Sequence, residues 1–242
     1  MNIKTAILID GSFFLKRYKY YKQKIDKNFC YSKDEAKNIV NDLYTIALSS
    51  MHRSCKKEDS SYLYRIFYYD CFPYKNKEHN PKTNKSIDFS KENEYLFRME
   101  FYNNLRKYRK VALRLGELKK QYNWTIKPSK LDFIIKKLKE DKENFLLNYD
   151  SFNEEDFILD FKQVGIDMKI AVDISSLSYK KLVDKIILIS GDSDFVPASK
   201  IARREGIDFI LNPMGNHIDI SLEEHIDGLI NENTILRVID KK

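Results

Sequence analysis

The sequence predicts an α/β protein: a central parallel sheet flanked by helices, elaborated by loop and helical insertions. Three observations predict it. The stretch Lys185–Val196, KIILISGDSDFV, begins with an apolar run, Ile186 to Ile189, of the kind found in strands buried on both faces, and it closes on Ser190, Gly191, Asp192 and Asp194. The stretch Met1–Asp10, MNIKTAILID, repeats that design, with Ala6 to Ile9 running into Asp10 and Gly11. Between the two, segments with helical spacing of apolar residues alternate with segments rich in β-branched and aromatic side chains. Ligands of open parallel sheets bind beyond the carboxyl ends of the strands, so two acid-tipped strands mark a candidate site.

Taken in order, the first strand is expected at the centre of the sheet, because it opens the chain. Phe14–Ile25 reads as a short basic helix. Lys33–Met51 reads as a longer one, with Ile39, Val40, Leu43, Ile46 and Ala47 on one face and Ser32 and Glu35 in a capping-box pattern. Tyr62–Tyr69 is a strand by its aromatic and β-branched content. Cys71–Asp88 collects Pro73, Pro81, Asn76, Asn80, Asn84 and many lysines, which makes a long surface loop able to reach over a substrate.

A helix is expected over Ser90–Tyr108, with Tyr95, Phe101, Tyr102 and Leu105 in its apolar set, and a strand over Val111–Gly116. Leu131–Tyr149 has a helical rhythm through Ile134, Ile135, Leu138, Phe145 and Leu146, interrupted by the charged run Lys136–Glu143. Residues 119–150 therefore read as a basic helical insertion and 71–89 as a loop insertion, both within one domain spanning 1–242. Ser151–Asp160 is expected as a solvated acidic loop. In Gln163–Asp173, Gly165 precedes Ile166 and Asp167, and Met168, Ala171, Val172 and Ser175 follow helical spacing, so Asp167 sits at a helix start. Asp173, at about 100° per residue, projects from a different face. Pro197, Ile201 and Ala202 open a helix after Asp194; Asp208–Leu211 is a strand, Leu222–Ile230 a helix and Ile235–Ile239 a closing strand.

The acids can be read in two ways. Asp192 and Asp194 repel one another and raise each other's pKa unless a cation stands between them, and a hard divalent ion such as Mg²⁺ is held by one or two carboxylates. Alternatively they cap the helix that follows, and Asp167 caps its own. No Ser-His or Cys-His arrangement surrounds the acids. Cys30, Cys55 and Cys71 and the histidines His52, His79, His217 and His225 are scattered, with no disulfide framework or zinc spacing.

With 242 residues, 43% hydrophobic and 33% charged, the chain can bury a sizeable core. No apolar run approaches the roughly 20 residues of a membrane helix, and the N-terminus goes straight into a strand, so no membrane association and a cytoplasmic location are expected. The net charge of +7 suits a polyanion, although a chain rich in Lys, Asn, Ile and Tyr reaches such a balance through an AT-biased genome as well. Its distribution says more. Between Arg106 and Lys142, where Arg114 also lies, bases far outnumber acids and Tyr108, Tyr122 and Trp124 are interleaved, as in a groove for single-stranded nucleic acid or in a solvated helix face with core aromatics.

The segments IDG near the N-terminus, GIDMKIAVDI, SGDSDFVP after a strand, and a helix ending ARREG resemble the NYN domain family, PIN-like nucleases of the LabA/DUF88 type. RIFYYD and ALRLGEL look like that family's intervening strands, so the resemblance spans nearly the whole chain. It implies a PIN-like, Rossmann-like fold, an acidic Mg²⁺ or Mn²⁺ site and hydrolysis of RNA phosphodiesters, single-stranded or structured, by an endonucleolytic cut. Asp10, Asp167, Asp192 and Asp194 match the family's acidic positions and are the expected catalytic and metal-binding residues. Ser12, Ser190, Ser193, Arg114, Lys169, Arg203 and Arg204 are the expected substrate contacts, with a solvent-facing role as the alternative for Arg203 and Arg204, and a homo-oligomer is allowed. The family often carries Asn two or three residues after its first Asp; here Ser12, Phe13 and Phe14 follow Asp10 and Gly11. The alternative is a catalytically weak or inactive RNA-binding or scaffold protein of the same fold. A haloacid-dehalogenase-type phosphatase fits poorly, since Leu8 stands where its nucleophilic Asp belongs.

Overall fold

The computed structural model describes residues 2–55, 59–140, 147–230 and 234–239. The elements, in order, are β1 (Asn2–Asp10), α1 (Gly11–Ile25), α2 (Ala36–Arg53), β2 (Ser60–Cys71), β3 (Lys77–His79), β4 (Ser86–Asp88), α3 (Asn93–Leu105), β5 (Val111–Ile126) and α4 (Pro128–Glu140). They continue with β6 (Phe157–Val164), α5 (Ile166–Tyr179), β7 (Lys185–Ile189), α6 (Val196–Arg204), β8 (Asp208–Asn212), α7 (Ile220–Glu223), β9 (Gly228–Leu229) and α8 (Thr234–Ile239). Seven strands form one sheet in the order β6-β5-β2-β1-β7-β8-β9, every pairing parallel except β5 with β6. This is the α/β, Rossmann-like sheet that the sequence predicts, and β1 occupies its centre.

The apolar runs of β1 and β7 are continuous because each face of the sheet is covered. Ile7, Ile9, Ile66, Tyr68, Ile187 and Ile189 pack on one side with the buried faces of α1, α2 and α3. Ala6, Leu8, Phe67, Tyr69, Ile186 and Leu188 pack on the other with α5 and α6. Successive strand residues point to opposite faces, so a strand needs apolar residues at every position to serve both.

The strand β5 is bipartite. Val111 to Gly116 pairs in parallel with Ile66 to Cys71 of β2, and from Glu117 onward the strand runs on past β2 and pairs antiparallel with β6. The overshoot, at about 3.3 Å per residue, is roughly 30 Å long. Gly116 marks the junction: a Cβ there would stand 2.8 Å from the Val164 carbonyl oxygen and 2.9 Å from Ile166 Cδ1, so the returning strand passes where only glycine leaves room.

Several sequence expectations are corrected. The helix α1 starts at Gly11 rather than Phe14, because Asp10 itself caps it. A turn precedes α2, whose N-cap position is Glu35 with no side-chain cap bond, so Ser32 does not cap it. The loop after β2 contains the antiparallel pair β3 and β4. Residues 119–126, expected as helical, are strand, and the helix of that region is α4 alone. Residues 141–146, which include Phe145, Leu146 and the end of the charged run, lie outside the described residues, as does the side chain of Tyr122. The acidic stretch before Asp167 holds a 3₁₀ turn, Glu154–Asp156, and then β6. Helix α7 is four residues long and is followed by β9 instead of continuing to Ile230. Ile235–Ile239 belongs to a helix, not a strand: the β-branched composition suggested extension, but Ile235 and Ile239 are spaced to bury one helical face in the core. No helix among the described residues is long and apolar enough to cross a membrane.

Candidate functional site

The chain leaves β1 on one side toward β2 and later returns to the other side of β1 as β7, which makes the β1/β7 gap the topological switch point. Asp10 ends β1 there. Its Oδ1 accepts the Phe13 N–H at 3.1 Å, capping α1, and its Oδ2 lies 3.5 Å from the buried Ser190 hydroxyl at the end of β7. Burial raises the Asp10 pKa from 3.8 to about 6, the Phe13 N–H opposes the rise, and the charges of Asp167 and Asp70 add to it.

Beyond Ser190 the backbone turns sharply. The Asp192 N–H faces the Ser190 hydroxyl at 3.4 Å, and Asp192 Oδ1 accepts the Asp194 N–H at 3.0 Å, capping the 3₁₀ turn Ser193–Phe195. The capping role weighed from sequence therefore holds for one oxygen of Asp192. It does not hold for Asp167. Helix α5 begins after Gly165, at φ +80°, with no side-chain cap, and the Asp167 carboxylate accepts no hydrogen bond among the described residues. Its pKa is raised, first by displaced solvent and then by the charges of Asp192 and Asp194. Asp167 thus shares an electrostatic field with Asp10 on one side and with the two β7 acids on the other.

A fifth carboxylate, which the sequence reading missed, ends β2. Asp70 is 1% exposed, bonded to the Cys71 N–H at 2.8 Å and the Tyr68 hydroxyl at 3.2 Å, and paired with Arg98 at 2.5 Å. Burial works against the Arg98 charge, but Asp70, Tyr102 and Glu94 outweigh it and hold the guanidinium above its ordinary pKa. The signal was available: a second strand ending in an acid, beside β1. Asp70 stands out less in the sequence, because no glycine or second acid follows it.

The expected substrate contacts divide. Ser190 is within the cluster, and Ser12 and Ser193 are half-buried in the first turns that follow Asp10 and Asp192. Lys169 is exposed near the carboxyl edge of β5, donating to the Leu115 carbonyl at 2.9 Å. Arg114 bonds Asp173 at 3.1 Å, and Asp173 also accepts from the Tyr69 hydroxyl at 2.8 Å, so Asp173 is occupied away from the other acids. Arg203 and Arg204 end α6, whose first turn is at the acids, which sets them about 12 Å away at 1.5 Å per residue. Arg203 is also paired with Asp227 at 2.8 Å.

All of the gathered donors are carboxylate or hydroxyl oxygens, the set that Mg²⁺ and Mn²⁺ take. Burial first, and then the charge of Asp167 on Asp10 and of Asp192 and Asp194 on Asp167, raise the pKa of Asp10 and Asp167, so negative charge is crowded there. No three acids among the described residues approach closely enough to enclose an ion on their own. The donor set therefore fits a partly hydrated cation held by one or two carboxylates, as Mg²⁺ is commonly bound.

The family model of the NYN domain matches residues 4–218. The chain belongs to the NYN domain family. At the level of that family, NYN domains are PIN-like nucleases. The matched range of this NYN domain runs from β1 through the loop after β8 and so contains Asp10, Asp70, Asp167, Asp192 and Asp194. No curated protein matches it. Among solved structures, it is similar to a protein of unknown function from Vibrio parahaemolyticus, at 16% identity and a TM-score of 0.41, over 94% of this chain and 91% of that one. It is also similar to a structure described as "The Structural basis for Sirtuin Substrate affinity", at 10% identity and a TM-score of 0.34, over 98% of this chain and 90% of that one. Likenesses of this size carry no argument about activity.

Proposed function

We propose that this NYN domain is a divalent-metal-dependent ribonuclease that cuts RNA phosphodiesters endonucleolytically. The observation that supports this best is the shared field of Asp10, Asp167, Asp192 and Asp194 at the switch point between β1 and β7. Asp10, with Asp167, Asp192 and Asp194, would hold Mg²⁺ or Mn²⁺; such an ion lowers the pKa of bound water and polarises a phosphoryl oxygen. The chain's own groups prepare the site. Ser190 and the Phe13 N–H fix the Asp10 carboxylate, one on each oxygen. The Asp194 N–H fixes Asp192 and leaves its second oxygen free among the described residues. Lys169 and Ser12 would meet substrate phosphate at the rim.

A second reading, RNA binding without hydrolysis, is favoured by one observation: no three acids among the described residues enclose an ion unaided. A labelled RNA pool incubated with the pure chain separates the two. Cleavage that needs Mn²⁺ or Mg²⁺, stops with chelator and disappears in Asp10→Asn and Asp192→Asn supports the nuclease. Retarded but intact RNA in both conditions supports the binder.

A further inference from the structure

Beside Asp70 the protein surface opens into two adjoining cavities. The inner one, about 470 Å³, has Asp70 and Arg98 in its wall and is lined by Phe72, Tyr74, Phe89 and Phe161. The outer one, about 800 Å³, shares Phe89, Glu92 and Phe161 with it and reaches Trp124 and Lys127. The aromatic rings run on from one cavity to the next: Tyr74 lies 4.8 Å from Phe161 and 5.5 Å from Phe89, and Phe89 lies 6.5 Å from Trp124.

We propose that this aromatic trough is the track on which an unpaired RNA strand lies as it passes the acidic site, its bases against the rings. The inference rests on the nuclease reading only for the position of the cut.

Charge decides which part of the strand enters. In the inner cavity Asp70, Glu92 and Glu94 face the single cation Arg98, so the wall repels phosphate and accepts a neutral base. The side chains of Glu92, Asn93 and Gln163 have no hydrogen-bond or ion-pair partner among the described residues, which leaves a carboxylate and two amides for the amino and carbonyl groups of a base edge. The outer cavity carries acids as well, Asp88, Glu92, Glu154 and Glu155, but it adds three cations, Lys85, Lys91 and Lys127, that a backbone can meet. Lys127 has no ion-pair partner among the described residues, and Lys85 and Lys91, with 70% and 82% of their side chains exposed, make only long contacts at 4.0 Å and 3.9 Å. Ring faces read bases that are unstacked. A duplex hides those faces, so the track selects single strands.

Trp124 is the sole tryptophan and lines the outer cavity, which supplies a direct readout. The full chain in chelator is titrated with a mixed-sequence single-stranded oligoribonucleotide of about 10 nucleotides, within the site sizes of single-strand binders, and with a blunt RNA duplex. The single strand is expected to quench Trp124 and the duplex to leave it unchanged. Phe89→Ala weakens single-strand binding by about fivefold or more, the loss of one stacked base, while Asp10→Asn still quenches. Should Phe89→Ala fail to fold, the surface change Lys127→Glu carries the same expectation of weaker binding. Metal-dependent cleavage with an unquenched Trp124, or equal quenching by duplex, overturns the track and leaves the nuclease reading intact. Quenching by single strands without any cleavage supports the track and overturns the nuclease.

Discussion

Arg98 Nη1 stands 2.5 Å from Asp70 Oδ2 at the end of the strand beside β1, and the same guanidinium reaches Glu94 with its Nε at 2.7 Å. The pair sits at the sheet edge next to Asp10, and the Asp70 charge contributes to the raised Asp10 pKa. Removing one partner leaves a charge stranded in the protein interior. Arg98→Met is expected to cost about 3 kcal/mol of stability in urea unfolding, and adding Asp70→Asn recovers a large part of it. Losses that simply add in the double variant would show that the two residues do not act as a pair.

Asp10 has a folded-state pKa of about 6 against 3.8 for the free group. A raised carboxyl means that the fold favours the protonated form. Its contribution to stability is complete below about pH 4 and is lost as the pH rises through about 6, roughly 3 kcal/mol in all. In chelator, Asp10→Asn, which can still cap α1, gains on the wild type between about pH 4 and pH 8. Unfolding free energies of both proteins across that range check it, and a constant difference would refute it.

A cation among these acids should reverse that penalty. At pH 8, Mn²⁺ or Mg²⁺ raises the wild-type melting temperature; an ion present at a hundred times its Kd stabilises by about 2.7 kcal/mol. Asp10→Asn and Asp167→Asn reduce the shift, and at about pH 4 it disappears, because the carboxyls bind protons instead. A melting temperature indifferent to both ions at pH 8 would remove the metal from the mechanism.

Gly116→Ala tests how Asp167 is positioned. The added methyl meets the Val164 carbonyl at 2.8 Å, so the end of β6 and the start of α5 must shift. We expect a loss of about 1 to 3 kcal/mol, the usual cost of overpacking, and a fall in cleavage rate larger than that loss of folded protein explains. Circular dichroism with a cleavage assay separates the two effects, and unaltered cleavage would mean that Asp167 tolerates displacement.

The centre of the fold was legible because β1 and β7 are covered on both faces and leave no choice but an unbroken apolar run. Their acids were legible for a related reason: a carboxylate that follows such a run, with glycine beside it, stands at the sheet's carboxyl edge. Asp167 was placed correctly at a helix start, although its freedom from capping needed the structure, since an acid in a first turn normally has that role. Asp70 was harder to see. It follows Tyr68 and Tyr69 and precedes Cys71, and only the pairing of β2 with β1 shows that it reaches the same edge. Farther from the centre the local signals mislead. The lysine-rich second half of β5 resembles a helix or loop in composition, and it is extended because β6 pairs with it. The segment Ile235–Ile239 has strand composition, yet it is helical because the surface it covers is a groove beside α1 and α2.

The bipartite β5 also separates two kinds of change. The arm beyond Gly116 runs out past β2 and comes back to the same place, because Glu117 faces Val164 at its base. Paired residues could be added to or deleted from its two sides without moving the start of α5. Evolution, or a protein engineer, can therefore lengthen, shorten or exchange that arm to choose a different target while the reaction centre stays as it is.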